Sequence, residues 1–239
     1  MNVPTRLARN LLAIAAFASS VAPLAAQAQS ADAQPQAGSY PLWSLQYDVK
    51  NFTAISAAPG TSGAVTCTDG TIMGNVGSTG GRPAVVQTRC PISGNVVTPI
   101  SATVIAQFNA QFDKLGKRIC QTQLAGTLAG VTLAPGVYCF PAAASLTGTV
   151  TLDGPATGVW IIQVNGDVTA KSFSMVMANG AKPCNTYIES TGAATMTSSD
   201  TKANLYTAAS ITLTGGTFVG RAFAKQAVTM TGVATTGCQ

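Results

Sequence analysis

The residues that could do acid/base chemistry or hold calcium are eight carboxylates: Asp32, Asp48, Asp69, Asp113, Asp153, Asp167, Glu189 and Asp200. Sugar-cleaving β-solenoids need such groups clustered. Adjacent coils could bring Asp153 and Asp167 near each other. However, Asp153 follows Thr151 by one outward position and Asp167 precedes Thr169 by one, which sends them to opposite ends of their rungs. Asp153 is expected beside Lys171 instead, as an exposed ion pair of little energy. There is no histidine to act as general base. No serine sits in a GxSxG setting, and Gly74-Asn75-Val76-Gly77 reads as turn glycines. The chain therefore reads as a non-enzyme, with no catalytic residue, cofactor or metal expected.

A second set is Cys67, Cys90, Cys120, Cys139, Cys184 and Cys238. Zinc is a poor reading without histidine or a CxxC pair. Disulfides suit an exported chain, and six cysteines allow about 15 connectivities, among which sequence does not choose. Cys67–Cys90, Cys120–Cys139 and Cys184–Cys238 are preferred, because each of the first two pairs closes a loop near one solenoid turn.

The third set is threonine. Five runs share one pattern: Val150-Thr151-Leu152, Val168-Thr169-Ala170, Ala194-Thr195-Met196, Ile211-Thr212-Leu213 and Val228-Thr229-Met230. Their central threonines are 18, 26, 17 and 17 residues apart. A recurrence of that length marks a solenoid, whose turns bury their apolar sides only by stacking. Alternation within a run marks a strand with one face in and one out. Stacked in register, the outward side chains form a ladder with rungs about 4.8 Å apart and roughly 6.7 Å between the two positions of a rung. Three consecutive runs place threonine at both outward positions: Thr195/Thr197, Thr212/Thr214 and Thr229/Thr231. Outward threonine is ordinary on a strand, so propensity alone explains a single run. A rigid, nearly uncharged array of methyls and hydroxyls has a further property. It holds water at fixed spacing, and such a layer can merge with ice. A charge orients its own hydration shell, so Asp153 and Lys171 mark an edge of any such patch.

These runs need elements to hold them. Thr98-Pro99 reads as the start of one helix over about 99–120, with Thr98 as N-cap and Pro99 at the first position. Val104, Ile105, Phe108, Phe112, Leu115 and Ile119 make its apolar face, and Gln107, Gln111, Asp113, Lys114 and Lys117 the other. Such a helix packs along a solenoid. Trp43–Ile55 reads as one or two strands leading in, and Ala64–Gly81 as a first solenoid turn. Strands at Val159–Val164, Thr186–Glu189, Asn204–Tyr206 and Arg221–Ala224 precede the threonine runs and should form a second face. The long Thr169–Thr195 spacing implies an insertion at Ala178–Cys184.

Residues 1–28 read as a secretory signal peptide. Arg6 and Arg9 start it, Leu11–Leu24 is its apolar core, and Ala26-Gln27-Ala28 is a cleavage site. Residues 29–39 read as a disordered polar tail, and 40–239 as one domain. The net charge is +5. Removing two arginines leaves it too weak for nucleic-acid binding, and no basic cluster supports that role. Only 9% of residues are charged and 24 are glycine, as in a turn-rich all-β protein with a bland surface. The mature chain is expected to be secreted (extracellular, periplasmic or at the cell surface) after signal-peptide removal, and to be a monomer without membrane insertion.

Several elements occur together and in order: Asn51-Phe52-Thr53-Ala54-Ile55, Leu133-Ala134-Pro135-Gly136-Val137-Tyr138, Leu146-Thr147-Gly148-Thr149-Val150-Thr151-Leu152-Asp153, Val159-Trp160-Ile161-Ile162-Gln163, and Gly220-Arg221-Ala222-Phe223-Ala224 with Ala227-Val228-Thr229-Met230. In these the chain resembles the secreted ice-binding (antifreeze) proteins. The resemblance implies an all-β, irregular β-solenoid of roughly triangular section. Its turns do not stack in chain order, and one α-helix lies alongside. It also implies adsorption to ice and ordered water through a flat face of Thr, Ser and Ala. The expected ice-binding residues are Thr151, Thr169, Thr195, Thr197, Thr212, Thr214, Thr229 and Thr231. A neighbouring face near Thr191, Thr207 and Ser210 is the second choice. The alternative function is an envelope or matrix adhesion module on the same scaffold, and a carbohydrate-active β-helix is a distant third.

Overall fold

The computed structural model describes residues 49–238. The signal-peptide and polar-tail readings, and the start of the lead-in at 43–48, lie outside the described residues.

After a short 3-10 turn at Val49–Asn51 come β1 (Phe52–Ser56), β2 (Val65–Thr68), β3 (Thr71–Met73) and β4 (Asn75–Ser78), a complete first coil. Next are β5 (Val85–Thr88), β6 (Val96–Val97) and the helix α1 (Ala102–Gly116). Then β7 (Thr122–Gln123), β8 (Thr132–Leu133), β9 (Gly136–Phe140) and β10 (Ala144–Asp153) open the main stack. It continues through β11 (Trp160–Val164), β12 (Val168–Ala178), β13 (Thr186–Ser190), β14 (Ala194–Lys202), β15 (Asn204–Thr207), β16 (Ile211–Val219) and β17 (Ala222–Ala224). The stack ends with β18 (Val228–Thr231) and β19 (Ala234–Thr236). Every named strand pairing is parallel, as a solenoid requires.

Three faces enclose the core. The helix face runs β6-β4-β1-β17-β15-β13-β11-β9-β7. The threonine face runs β5-β2-β18-β16-β14-β12-β10, using the first halves of the long strands. Their second halves, with β8, β19 and β3, make the third face. The stack is not in chain order. β1 and β2 pair with β17 and β18, so the N-terminal coils continue the far end of the stack. Helix α1 then carries the chain back to β7. The insertion expected at Ala178–Cys184 is the turn after β12 and a 3-10 turn at Pro183–Asn185.

A single backbone conformation bends each coil from the threonine face to the third face. Gly148, Ser172, Ser198, Gly215, Gly232, Asp69 and Arg89 hold the corner, all with φ between 48° and 71°. Gly215 and Gly232 adopt this left-handed region freely, whereas a side chain there costs roughly 1–2 kcal/mol. At one end of the column the two charged corner residues pair, Arg89 with Asp69.

Helix α1 starts later and ends earlier than the sequence suggests. Ile100 is still tied to the sheet, its N–H donating to Ser78 O at 2.9 Å and its side chain buried. Ser101, not Thr98, therefore caps the helix, accepting from Val104 N at 3.3 Å. Pro99 lies outside it. Gln163 reinforces the C-terminal end, its Nε2 donating to Leu115 O and, just past the helix, to Arg118 O, both at 2.8 Å. Ile119 falls beyond this stop and is 62% exposed, not part of the apolar face. Gln111, expected on the polar face, is buried.

The helix packs Val104, Phe108, Phe112 and Leu115 on the outward side chains of its sheet. One outward row reads Ile55, Phe223, Tyr206, Glu189, Gln163, Cys139. Its aromatic part meets Phe108, which lies 6.0 Å from the Tyr206 ring and 6.1 Å from Phe223. Such pairs add about 0.5–1.5 kcal/mol beyond the area they bury. Its polar part lies at the helix C-terminus. Burial pushes the Glu189 carboxyl up to about 7, against a smaller opposing pull from the Lys225 ammonium; Asp113 pushes the same way as burial.

The Tyr206 hydroxyl is fully buried and has no partner among the described residues. Tyr206→Phe should leave chemical-denaturation stability unchanged or raise it by up to about 1 kcal/mol, since an unsatisfied buried hydroxyl is costly. For Glu189, the folded-state pKa lies above the ordinary 4.5. The folded chain keeps a proton that the unfolded chain gives up, so its contribution is full below about pH 4.5 and is lost as pH rises through about 7. The melting temperature should fall between pH 5 and pH 8, and Glu189→Gln should flatten that fall.

Candidate functional site

The threonine face is built from one four-residue pattern used four times in succession. Val65-Thr66-Cys67-Thr68, Val228-Thr229-Met230-Thr231, Ile211-Thr212-Leu213-Thr214 and Ala194-Thr195-Met196-Thr197 pair residue for residue. The first and third residues of each point inward and are at most 3% exposed. Burying a side chain of this kind contributes roughly 1.5–3 kcal/mol, so the core fixes the register. A one-residue slip would turn threonines inward. The result is two straight rows. One reads Ser145, Thr169, Thr195, Thr212, Thr229, Thr66, Val86. The other reads Lys171, Thr197, Thr214, Thr231, Thr68, Thr88.

Among the described residues, no hydroxyl on the four double-threonine rungs hydrogen-bonds to protein; the threonine side-chain bonds that form lie elsewhere, as from Thr217 to Asp200. These eight hydroxyls are left for water or a surface. Rungs are about 4.8 Å apart, with methyls and hydroxyls repeating along both rows. No carboxylate lies on either row, and Lys171 is their one charge.

The structure brings together Thr169, Thr195, Thr197, Thr212, Thr214, Thr229 and Thr231. It does not place Thr151 with them. Strand β10 bends at Gly148, so Ser145 pairs with Thr169, while Thr151 pairs with Val176 on the third face. The spacing of 18 residues from Thr151 to Thr169 matched the coil length but not the register. The same bend separates Asp153 from Lys171. Asp153 is level with Ala178 and accepts from Asn179 Nδ2, and Lys171 is level with Thr197. The expected ion pair does not form.

Thr66 and Thr68 are the members of this threonine face that sequence reasoning missed. Their run carries the same alternation, but it lies far from the others along the chain. Its match to Val228-Thr229-Met230-Thr231 was the available signal. The second-choice face is no face at all. Thr207 is buried with its hydroxyl donating to Ala209 O at 2.9 Å, and Thr191 lies in the turn after β13. The third face is unsuited to a uniform surface. Its rows mix Thr149, Ser174, Asp200 and Thr217 with Thr151, Val176, Lys202 and Val219.

The cysteines pair as Cys67–Cys90, Cys120–Cys139 and Cys184–Cys238. Cys67 lies directly beneath the Thr66/Thr68 rung, and Cys90 belongs to the coil after it. Among the described residues there is no cluster of metal-ligating side chains, and no helix is long and apolar enough to cross a membrane.

Residues 50–236 match the ice-binding-like family. An ice-binding protein of Nostoc sp. (strain HG1) is 37% identical over 165 residues, which is 64% of this chain and 58% of that protein. One from Flavobacterium frigoris (strain PS1) is 32% identical over 141 residues, 54% of this chain and 49% of that protein. The chain thus spans about half to three-fifths of the length of these relatives. The ice-binding protein of the Antarctic ascomycete Antarctomyces psychrotrophicus superposes with a TM-score of 0.72 at 27% identity, covering 79% of this chain and 95% of the other. A Shewanella frigidimarina ice-binding protein domain shares the fold, with a TM-score of 0.70 at 23% identity over 80% of this chain and 96% of the other. With the family matched across the whole described solenoid, the chain belongs to the ice-binding-like family.

Proposed function

We propose that the protein is exported and adsorbs to ice through its threonine face, inhibiting ice growth or recrystallisation without catalysing a reaction. The observation that carries this reading is the ladder of four double-threonine rungs, with hydroxyls unpaired to protein and no carboxylate in either row. Physically, hydroxyls fixed by a rigid sheet hold water at set positions, while the γ-methyls limit the directions in which that water bonds to bulk. The ordering entropy is met during folding rather than at adsorption. Many weak contacts over a preformed plane then act together. The relatives named as ice-binding proteins support the same reading, as does the signal-peptide pattern at residues 1–28. Three disulfides fit an oxidising compartment. The plane needs no cofactor and no second chain, so the adsorbing unit is taken to be a monomer.

Thermal hysteresis of the purified mature protein tests this directly. The wild type should open a gap between melting and freezing points and shape ice crystals. Thr212→Tyr and Thr229→Tyr, each placing a ring in the middle of the plane, should abolish the gap while changing unfolding free energy by no more than about 0.5 kcal/mol. Full activity in both variants, or none in the wild type, would remove the reading.

The disulfide beneath the plane gives a second test. Replacing Cys67 and Cys90 by serine should cost about 2–4 kcal/mol of stability. Hysteresis should fall at temperatures where the variant is still folded by circular dichroism, because the Thr66/Thr68 rung loses its tether. Unchanged hysteresis would show that this rung is held well enough by β-pairing alone.

A further inference from the structure

The threonine plane is interrupted at one position. In the row Thr88, Thr68, Thr231, Thr214, Thr197, the next outward residue is Lys171. Beyond it, β10 offers Ser145 and Thr147, both exposed and both of the type that fills the rest of the face. Strand β12 itself supplies Thr169, also exposed and in register with Thr195 and Ser145. The scaffold therefore presents hydroxyl-bearing residues on six successive strands from β2 to β10, in register through Thr169 and Ser145, with Lys171 the one charged side chain and a register shift between Leu146 and Gly148 beside Thr147.

Nothing in the fold accounts for that lysine. It is exposed, and no ion pair or hydrogen bond ties its ammonium to the described residues. The carboxylates of the same and adjacent coils are engaged elsewhere: Asp153 with Asn179, Asp167 with the Ala193 N–H and Asp200 with Thr217. The next residue, Ser172, turns the corner to the third face through its backbone, which does not depend on the Lys171 side chain.

Its effect on the plane is physical and twofold. A threonine carries its methyl and hydroxyl one bond beyond Cβ, whereas an extended lysine reaches roughly 6 Å from its Cα. A flat solid resting on the threonine tips would meet the ammonium before it met Thr169 or Thr147. The ammonium is also strongly hydrated, and its shell is oriented by charge rather than by the repeat of the sheet. Laying the side chain flat costs rotamer freedom and brings the charge over Thr197 or Thr147.

From this the geometry points to Lys171 as the residue that limits the adsorbing area, confining ice contact to the four rungs from β14 to β2 and excluding Ser145, Thr147 and Thr169. The inference rests on the proposed ice-binding reading. It assigns the active patch to the part of the sheet that joins the C-terminal coils to the N-terminal ones, and it makes β10 and β12 a dormant extension.

The test is a gain of function. Lys171→Thr removes the charged interruption and lets β12 and β10 join the plane, so the apolar and hydroxyl area in contact grows, and hysteresis at matched concentration should rise, by roughly one and a half-fold if it follows the ratio of six strands to four. Lys171→Gln keeps the length and removes the charge, so its hysteresis should fall between wild type and Lys171→Thr. Melting temperatures of both should match wild type. Lys171→Thr at or below wild-type hysteresis would overturn the inference, a decrease marking the ammonium as a contact and no change marking it as irrelevant. Thr212→Tyr measured alongside separates the two levels. If it abolishes hysteresis while Lys171→Thr changes nothing, only the limit at Lys171 is wrong. If it leaves hysteresis intact, the ice-binding face itself is misassigned.

Discussion

Parallel, residue-for-residue stacking of two-faced strands is the constraint from which the rest follows. The inward residues of the threonine face, Val65/Cys67, Val228/Met230, Ile211/Leu213 and Ala194/Met196, are almost fully buried. Register is therefore fixed from inside, and the outward threonines are aligned as a consequence. No contact between the threonines is needed to hold them. This separates stability from surface chemistry, since the core sets the spacing and the exposed positions are free to carry whatever the surface requires.

The same constraint explains why one face is uniform and another is not. A left-handed corner residue ends each threonine rung at the same place, so both rows stop together. Past the corner, the third face carries Asp200, Lys202 and Val176, and its hydroxyls begin to bond to neighbours. The helix face is spent differently. Its outer side chains are buried beneath α1, with aromatic residues along the helix body and Gln163 and Glu189 at its C-terminal end. Of three faces, one is covered, one is mixed and one is a bare, repetitive plane.

Alternation and recurrence in the sequence were enough to reveal the solenoid, its flanking helix, the apolar strands of the helix face and the insertion after β12. Local signals also gave the inward and outward sides of each threonine run. What they could not give was stacking order. Thr66 and Thr68 join Thr229 and Thr231 only because the chain returns along α1 and starts again at the other end. Nor could spacing reveal the bend at Gly148, which put Thr151 on the wrong face and paired Asp153 with Lys171. Both errors have one source. A period along the chain reports coil length, whereas register is set by where each coil turns its corner. The helix start was missed for a similar reason, because Ile100 is held by Ser78, a partner 22 positions earlier that no local pattern shows.

The contrast between Thr66 and Thr151 tests the central claim most directly, because the two residues exchange roles between sequence and structure. Purified protein can be allowed to partition into a slowly growing ice hemisphere, and its concentration in ice compared with that in the liquid. Wild type and Thr151→Tyr should both enter the ice, and Thr66→Tyr should be left in the liquid. Entry of Thr66→Tyr at the wild-type level, or exclusion of Thr151→Tyr, would contradict adsorption through the face that joins β2 to β18.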